Sequence, residues 1–231
     1  MFDILFLDLD DTILDFKKAE RIAISATIRD FGVEPTEEVL SRYHVINKHQ
    51  WELLEKGEKT RAQILVDRFA LLFEELGADV DAEKCARRYE HNLSQGHWFL
   101  PGAEEAVKRL HKRFRLFLAS NGTASVQHGR LTSAGRYPWF EKVFVSQEIG
   151  HNKPSPDYFR ACFAQIEGFD KARCIMVGDS LSSDILGGIN AGIATCWVAP
   201  PDKDPGHIRP DYRIESIAQL EALLDDIKKE G

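Results

Sequence analysis

The chain has 231 residues, 43% of them hydrophobic, with 30 Lys and Arg against 37 Asp and Glu for a net charge of −7 at pH 7. At that length folding removes roughly 70–75% of the extended chain's surface from water, so a core forms without disulfides or a structural metal. The acidic balance excludes bulk electrostatic binding to a nucleic-acid backbone, which needs a basic surface.

Residues 2–8 (FDILFLD) are apolar on both alternating faces, as a central parallel strand covered on both sides requires, and predict a first strand ending at Asp8. This stretch has neither the basic flank nor the length of a signal peptide. No later run approaches the ~18 apolar residues of a membrane span, so a cytoplasmic protein with no membrane partner is expected. Cys85, Cys162, Cys174 and Cys196 are never closer than 12 residues, which leaves no CxxC pair and predicts reduced thiols.

From Lys17 to about Gln95, charged and apolar residues recur at three- and four-residue spacing, and four helices are predicted near 17–31, 36–56, 59–76 and 82–95. FGVEP, KGEK and LGADVD separate them. In the first helix Ala19, Ile22, Ala23, Ala26 and Ile28 form the expected apolar stripe. Beyond Pro101 and Gly102 the rhythm changes. Strands are predicted at 116–120, 142–145, 174–178 and 194–198, alternating with helices near 103–112, 124–135, 156–166 and 182–190 and a last helix near 216–228. Pro200 to Pro210 reads as a surface loop. Strand and helix in alternation imply right-handed βαβ units and an open parallel sheet, interrupted after its first strand by the all-helical segment.

Ligands of an open α/β sheet bind beyond the carboxyl ends of the strands. There the first strand delivers Asp8, Asp10, Asp11 and Thr12, the next delivers Ser120, Asn121 and Gly122, and the strand at Cys174 delivers Asp179, with Asp184 one turn later. Each residue alone makes an ordinary turn or cap, and Lys153 alone is a surface lysine. Together, Asp8, Asp10, Asp179 and Asp184 at one sheet edge repel each other by roughly 4 kcal/mol per pair at 4 Å and an effective dielectric near 20. Mg²⁺, which takes oxygen ligands and completes its shell with water and phosphate, resolves that repulsion. Ser120, Asn121 and Gly122 offer a hydroxyl, an amide and backbone N–H groups at a helix start, a cradle for phosphate. A phosphate dianion with Asp8, Asp179 and Asp184 carries five negative charges against three on Mg²⁺ and Lys153. That imbalance favours a protonated Asp10, the partner a nucleophilic carboxylate needs for phosphoryl transfer.

Asp8-Leu9-Asp10-Asp11-Thr12 (DxDxT), Ser120-Asn121-Gly122, Lys153 before Pro154, and Gly178-Asp179 with Asp184 (GDxxxxD) resemble, in order, the four motifs of the haloacid dehalogenase (HAD) superfamily. The resemblance implies an α/β fold: an open parallel Rossmann-like core, residues 1–15 and 97–231, with an inserted all-helical C1 cap domain, residues 16–96. It implies that Asp8 is the nucleophile and Asp10 the general acid and then base. Asp8, the Asp10 carbonyl and Asp179 would hold Mg²⁺, with Asp184 acting through water or on Lys153. Ser120, Asn121, Gly122 and Lys153 would hold the phosphoryl oxygens.

The stretches Val45 to Trp51, Gly57 to Thr60 and Asp184 to Trp197 are similar to the superfamily's 5′-nucleotidases for pyrimidine nucleoside monophosphates. A small phosphate monoester is thus the expected partner, with Asn47 and Lys48 touching base or sugar and Trp51 stacking. Asp15, Phe16, His97 and Trp98 stand where core and cap join, as hinge or substrate contacts. A phosphatase for phosphoglycolate or a sugar phosphate is the alternative; a phosphomutase would share every core motif. A haloacid dehalogenase lacks the second acid of the first motif, so Asp10 argues against it. A binding protein that keeps only the fold is disfavoured because no catalytic motif is missing. A monomer or a weak homodimer is compatible with the sequence.

Overall fold

The computed structural model describes residues 2–230, which divide into two compact units. One comprises the chain up to Phe16 and from His97 onward; the other runs from Lys17 to Gly96.

The first unit is an α/β sheet. Its six strands are β1 (Ile4–Leu7), β2 (Arg115–Ser120), β3 (Lys142–Val145), β4 (Cys174–Gly178), β5 (Ala194–Val198) and β6 (Tyr212–Ile214). All are parallel, in the order β3-β2-β1-β4-β5-β6. β1 is central because its residues are apolar on both faces. Leu5 and Leu7 pack with Leu118, Val177, Val107 and Leu220 on one side, while Ile4 and Phe6 pack with Phe117, Phe144, Phe159 and Met176 on the other. All four cysteines of the chain are buried free thiols. β6 was not predicted: three residues at the end of a surface loop are too few to carry a period.

The second unit is helical: α1 (Phe16–Asp30, its first residue belonging to the other unit), α2 (Glu37–Glu55), α3 (Arg61–Leu76) and α4 (Ala82–Leu93). Thr60 opens α3 with a capping box, its hydroxyl taking the Gln63 N–H while the Gln63 side chain takes the Thr60 N–H, and Gly77 ends it in the left-handed region. Tyr43, Phe69 and Tyr89 form an aromatic core with ring centroids 5.4–5.6 Å apart. The buried face of α1 keeps Ala19, Ala23 and Ile28 of the predicted stripe but not Ile22 or Ala26. Ile22 is exposed, and Glu20 and Thr27 are buried beside Ala19, Ala23, Ile24 and Ile28.

The remaining helices are α5 (Ala103–Leu110), α6 (Ala124–Ala134), α7 (Ser146–Ile149), α8 (Pro156–Phe163), α9 (Leu186–Ala191) and α10 (Leu220–Glu230). A single π turn at Leu181–Ile185 leads into α9. Among the described residues no helix is long and apolar enough to cross a membrane.

Candidate active site

The register of the sheet assembles the site. Leu7 of β1 lies beside Leu118 of β2 and Val177 of β4, so the next residue, Asp8, emerges between Ala119 and Gly178 at the carboxyl edge. Its backbone N–H is held there by the Val177 carbonyl at 2.9 Å. Thr12 accepts the Asp179 N–H at 3.1 Å, and the Trp197 indole N–H reaches the Asp179 carbonyl at 2.9 Å, fixing the loop after β4 from both sides.

Lys153 is the electrostatic centre. Its side chain is 1% exposed, and Nζ donates to Asp8 Oδ1 at 2.7 Å, Asp184 Oδ1 at 2.6 Å and the Ala119 carbonyl at 2.6 Å. An ammonium has three protons, and all three are used. Burial opposes the lysine's charge, but the two carboxylates outweigh it and hold Lys153 above its ordinary range. Asn121 places the loop that carries it: the amide oxygen takes the Lys153 N–H and the amide nitrogen donates to the Lys153 carbonyl, both at 2.8 Å. The Asn121 side chain thus positions the Lys153 loop.

Asp8, Asp179 and Asp184 each bring one carboxylate oxygen within 4.8 Å of the others. Burial, together with Asp184, Asp10 and Asp179, drives the Asp8 carboxyl well up against the pull of Lys153. Burial, Asp184 and Asp11 push Asp179 up to about 7. Asp184 accepts the Ser180 N–H at 3.1 Å with its second oxygen. Three converging carboxylates, two of them made unfavourable by burial and by each other, fit a hard divalent cation, which would supply the missing positive charge.

Asp10 has two partners that the sequence did not reveal. Gln127 Nε2 donates to Asp10 Oδ2 at 2.6 Å, and the fully buried Arg130 guanidinium forms an ion pair with Asp10 Oδ1. The charge count that left Asp10 uncompensated omitted Arg130. Ser120 Oγ accepts from Gly122 N at 3.0 Å and from Gln127 Nε2 at 2.7 Å. The signal for both missed residues was their spacing: polar side chains three apart on the helix that opens after the Ser-Asn-Gly turn, with Val126 and Leu131 beside them.

The other predicted residues lie as follows. In α2, Asn47 is buried and bonds Glu20 Oε1 at 2.6 Å and Arg68 Nη1 at 3.0 Å, Lys48 is exposed, and the half-buried Trp51 ring lies 5.4 Å from the Arg61 guanidinium carbon. Asp15 donates its N–H to the Trp98 carbonyl at 2.8 Å. The Phe16 ring lies 5.7 Å from the Arg130 guanidinium carbon, and His97 Nδ1 is 2.6 Å from Ser133 Oγ.

An open parallel sheet with this acid and lysine constellation at its carboxyl edge defines a class of hydrolases. The chain belongs to the haloacid dehalogenase-like hydrolase family, which it matches over residues 2–192. It is 34% identical to the pyrimidine 5′-nucleotidase PynA of Streptococcus pneumoniae, covering 97% of this chain and 95% of that one. It is 31% identical to the pyrimidine 5′-nucleotidase YjjG of Escherichia coli, covering 96% and 98%. The crystal structure of Bacillus subtilis YfnB bound to magnesium superimposes with a TM-score of 0.92 at 34% identity, covering 97% of this chain and 99% of that one.

Proposed function

We propose that this protein is a Mg²⁺-dependent phosphatase that hydrolyses phosphate monoesters through an aspartyl-phosphate on Asp8, with pyrimidine nucleoside monophosphates as its substrates. The observation that carries the reaction is the hold of Lys153 on both Asp8 and Asp184 beside Asp179. Likeness along nearly the whole chain to PynA and YjjG supports the substrate class.

Lys153 fixes one oxygen of the Asp8 carboxylate and so limits the directions in which it can attack. As the Asp8 oxygen bonds to phosphorus, the ester P–O bond breaks and Asp10 gives its proton to the leaving oxygen. Asp10 then takes a proton from water as the water oxygen bonds to phosphorus and the Asp8–phosphorus link breaks, releasing phosphate. The Ser120 hydroxyl and the Asn121 backbone N–H receive the phosphoryl oxygens, and Gly122 completes the turn that presents them. Asp8, the Asp10 carbonyl and Asp179 are the groups that would hold Mg²⁺, with Asp184 beside them; the ion supplies positive charge to the transferring group. The helical unit, residues 17–96, is assigned the choice of substrate.

The test is phosphate release with Mg²⁺ from a panel of pyrimidine and purine nucleoside monophosphates, phosphoglycolate and hexose phosphates, with EDTA and Asp8→Asn as controls. Fastest turnover of the pyrimidine nucleotides, abolished in both controls, is expected. Preference for phosphoglycolate or a hexose phosphate would overturn the substrate class, and release that persists in Asp8→Asn would overturn the mechanism.

A further inference from the structure

α6 begins directly after the Ser120-Asn121-Gly122 turn, and it buries two long polar side chains: Gln127 is 1% exposed and Arg130 0%. Most polar atoms of such buried side chains are bonded. The Gln127 amide is bonded at both ends. Nε2 lies 2.6 Å from Asp10 Oδ2 and 2.7 Å from Ser120 Oγ, and Oε1 lies 3.2 Å from Arg130 Nη1, which itself pairs with Asp10 Oδ1. The chemistry fixes the amide's orientation. Arginine only donates, so the amide oxygen must face it, and the two N–H groups face the two acceptors.

This geometry has a consequence for Ser120. A hydroxyl has two acceptor sites and one proton. Gly122 N–H and Gln127 N–H occupy the acceptor sites, so the proton is the function Ser120 has left, and it suits an anionic oxygen. The same Gln127 amide holds the second oxygen of Asp10 while Arg130 holds the first. Gly122 is shaped to this amide: a Cβ there would fall 2.7 Å from both Gln127 Cδ and Cγ, closer than real contacts allow.

We propose that Gln127, backed by Arg130, is a positioning residue that sets two reacting groups at once: it makes the Ser120 hydroxyl a donor to a phosphoryl oxygen and anchors the carboxyl of Asp10 for proton exchange with the leaving and attacking oxygens. This rests on the phosphatase reading above. Gln127 itself touches neither the phosphoryl group nor the leaving group.

The test uses the Mg²⁺-loaded protein with Gln127→Leu, which keeps the volume and removes both N–H groups. Single-turnover release of the leaving group is measured from uridine monophosphate, whose alkoxide needs a proton, and from p-nitrophenyl phosphate, whose phenolate does not. Release from the nucleotide should slow by about a hundredfold, and release from the aryl ester by about tenfold or less, because general acid assistance matters only to the first. Calorimetric binding of inorganic phosphate should weaken by about tenfold, one charge-assisted hydrogen bond, and Gln127→Leu should add nothing in a Ser120→Ala background. Gly122→Ala, which displaces the amide without deleting it, should reproduce the pattern and serves if Gln127→Leu does not fold. Equal slowing of the two esters, or wild-type phosphate affinity in the variant, would overturn the positioning role. A wild-type protein that releases neither leaving group would overturn the phosphatase reading instead.

Discussion

Lys153 and Asp184 form an ion pair of 2.6 Å between two side chains that are each 1% exposed. Asp8 is the second carboxylate on the same ammonium. Lys153→Met removes the shared cation and leaves two buried carboxylates uncompensated, a change that costs about 3–5 kcal/mol when a buried pair loses one partner. Urea unfolding without metal should report that loss, and added Mg²⁺ should recover part of it by restoring positive charge to the cluster. Turnover should be lost in either condition.

Gly178 passes so close to Asp184 that a Cβ would sit 2.5 Å from the Asp184 Cγ. Gly178→Ala forces the Asp184 side chain to shift and so disturbs its bonds to Lys153 and to the Ser180 N–H. A stability loss of about 1–3 kcal/mol, the usual cost of overpacking, is expected. Mg²⁺ affinity, read by titration calorimetry, should fall with it, whereas unchanged affinity would mean that Asp184 takes no part in holding the ion.

The contrast between these residues and Gln127 marks what sequence could convey. Asp8, Asp179 and Lys153 were legible because each follows a short apolar strand or sits in a distinctive loop, and the strand order brings their ends together. Gln127 and Arg130 lie in a helix whose sequence (ASVQHGRLTSA) has few apolar residues, and what buries them is Asp10, 117 and 120 positions earlier. In α1 the apolar period selected Ile22, but the folded helix buries Glu20 and Thr27 instead. Polar partners make that possible: His44 and Asn47 bond Glu20, and Asn92 donates to Thr27 Oγ1 at 2.9 Å. A hydrophobicity pattern carries no record of such pairings.

Glu20 yields a pH prediction. Burial raises its carboxyl above the ordinary glutamate value, although His44, Asn47 and Arg68 all pull it down. The folded state therefore holds this proton more tightly than the unfolded chain, and Glu20's contribution to stability falls as pH rises from the unfolded value through the folded one. Glu20→Gln cannot titrate. The melting temperature of wild type relative to Glu20→Gln should accordingly decline as pH rises above the ordinary glutamate value of about 4.3, and a difference that stays constant would contradict the assignment.

Asn47 bridges Glu20 and Arg68 inside the helical unit. Asn47→Leu leaves a buried acceptor and a buried guanidinium short of a partner, so chemical denaturation should show a loss of about 1–3 kcal/mol. Lys48→Ala, on the exposed neighbour, should change stability by less than about 0.5 kcal/mol.

Acid quench of the Mg²⁺-loaded protein within milliseconds of mixing with uridine monophosphate radiolabelled at phosphorus tests Asp8 as the nucleophile most directly. Label is expected on the peptide that carries Asp8, discharged by neutral hydroxylamine as an acyl phosphate is, and absent in Asp8→Asn. Free phosphate accumulating with no labelled peptide at any time, or label on a different residue, would contradict it.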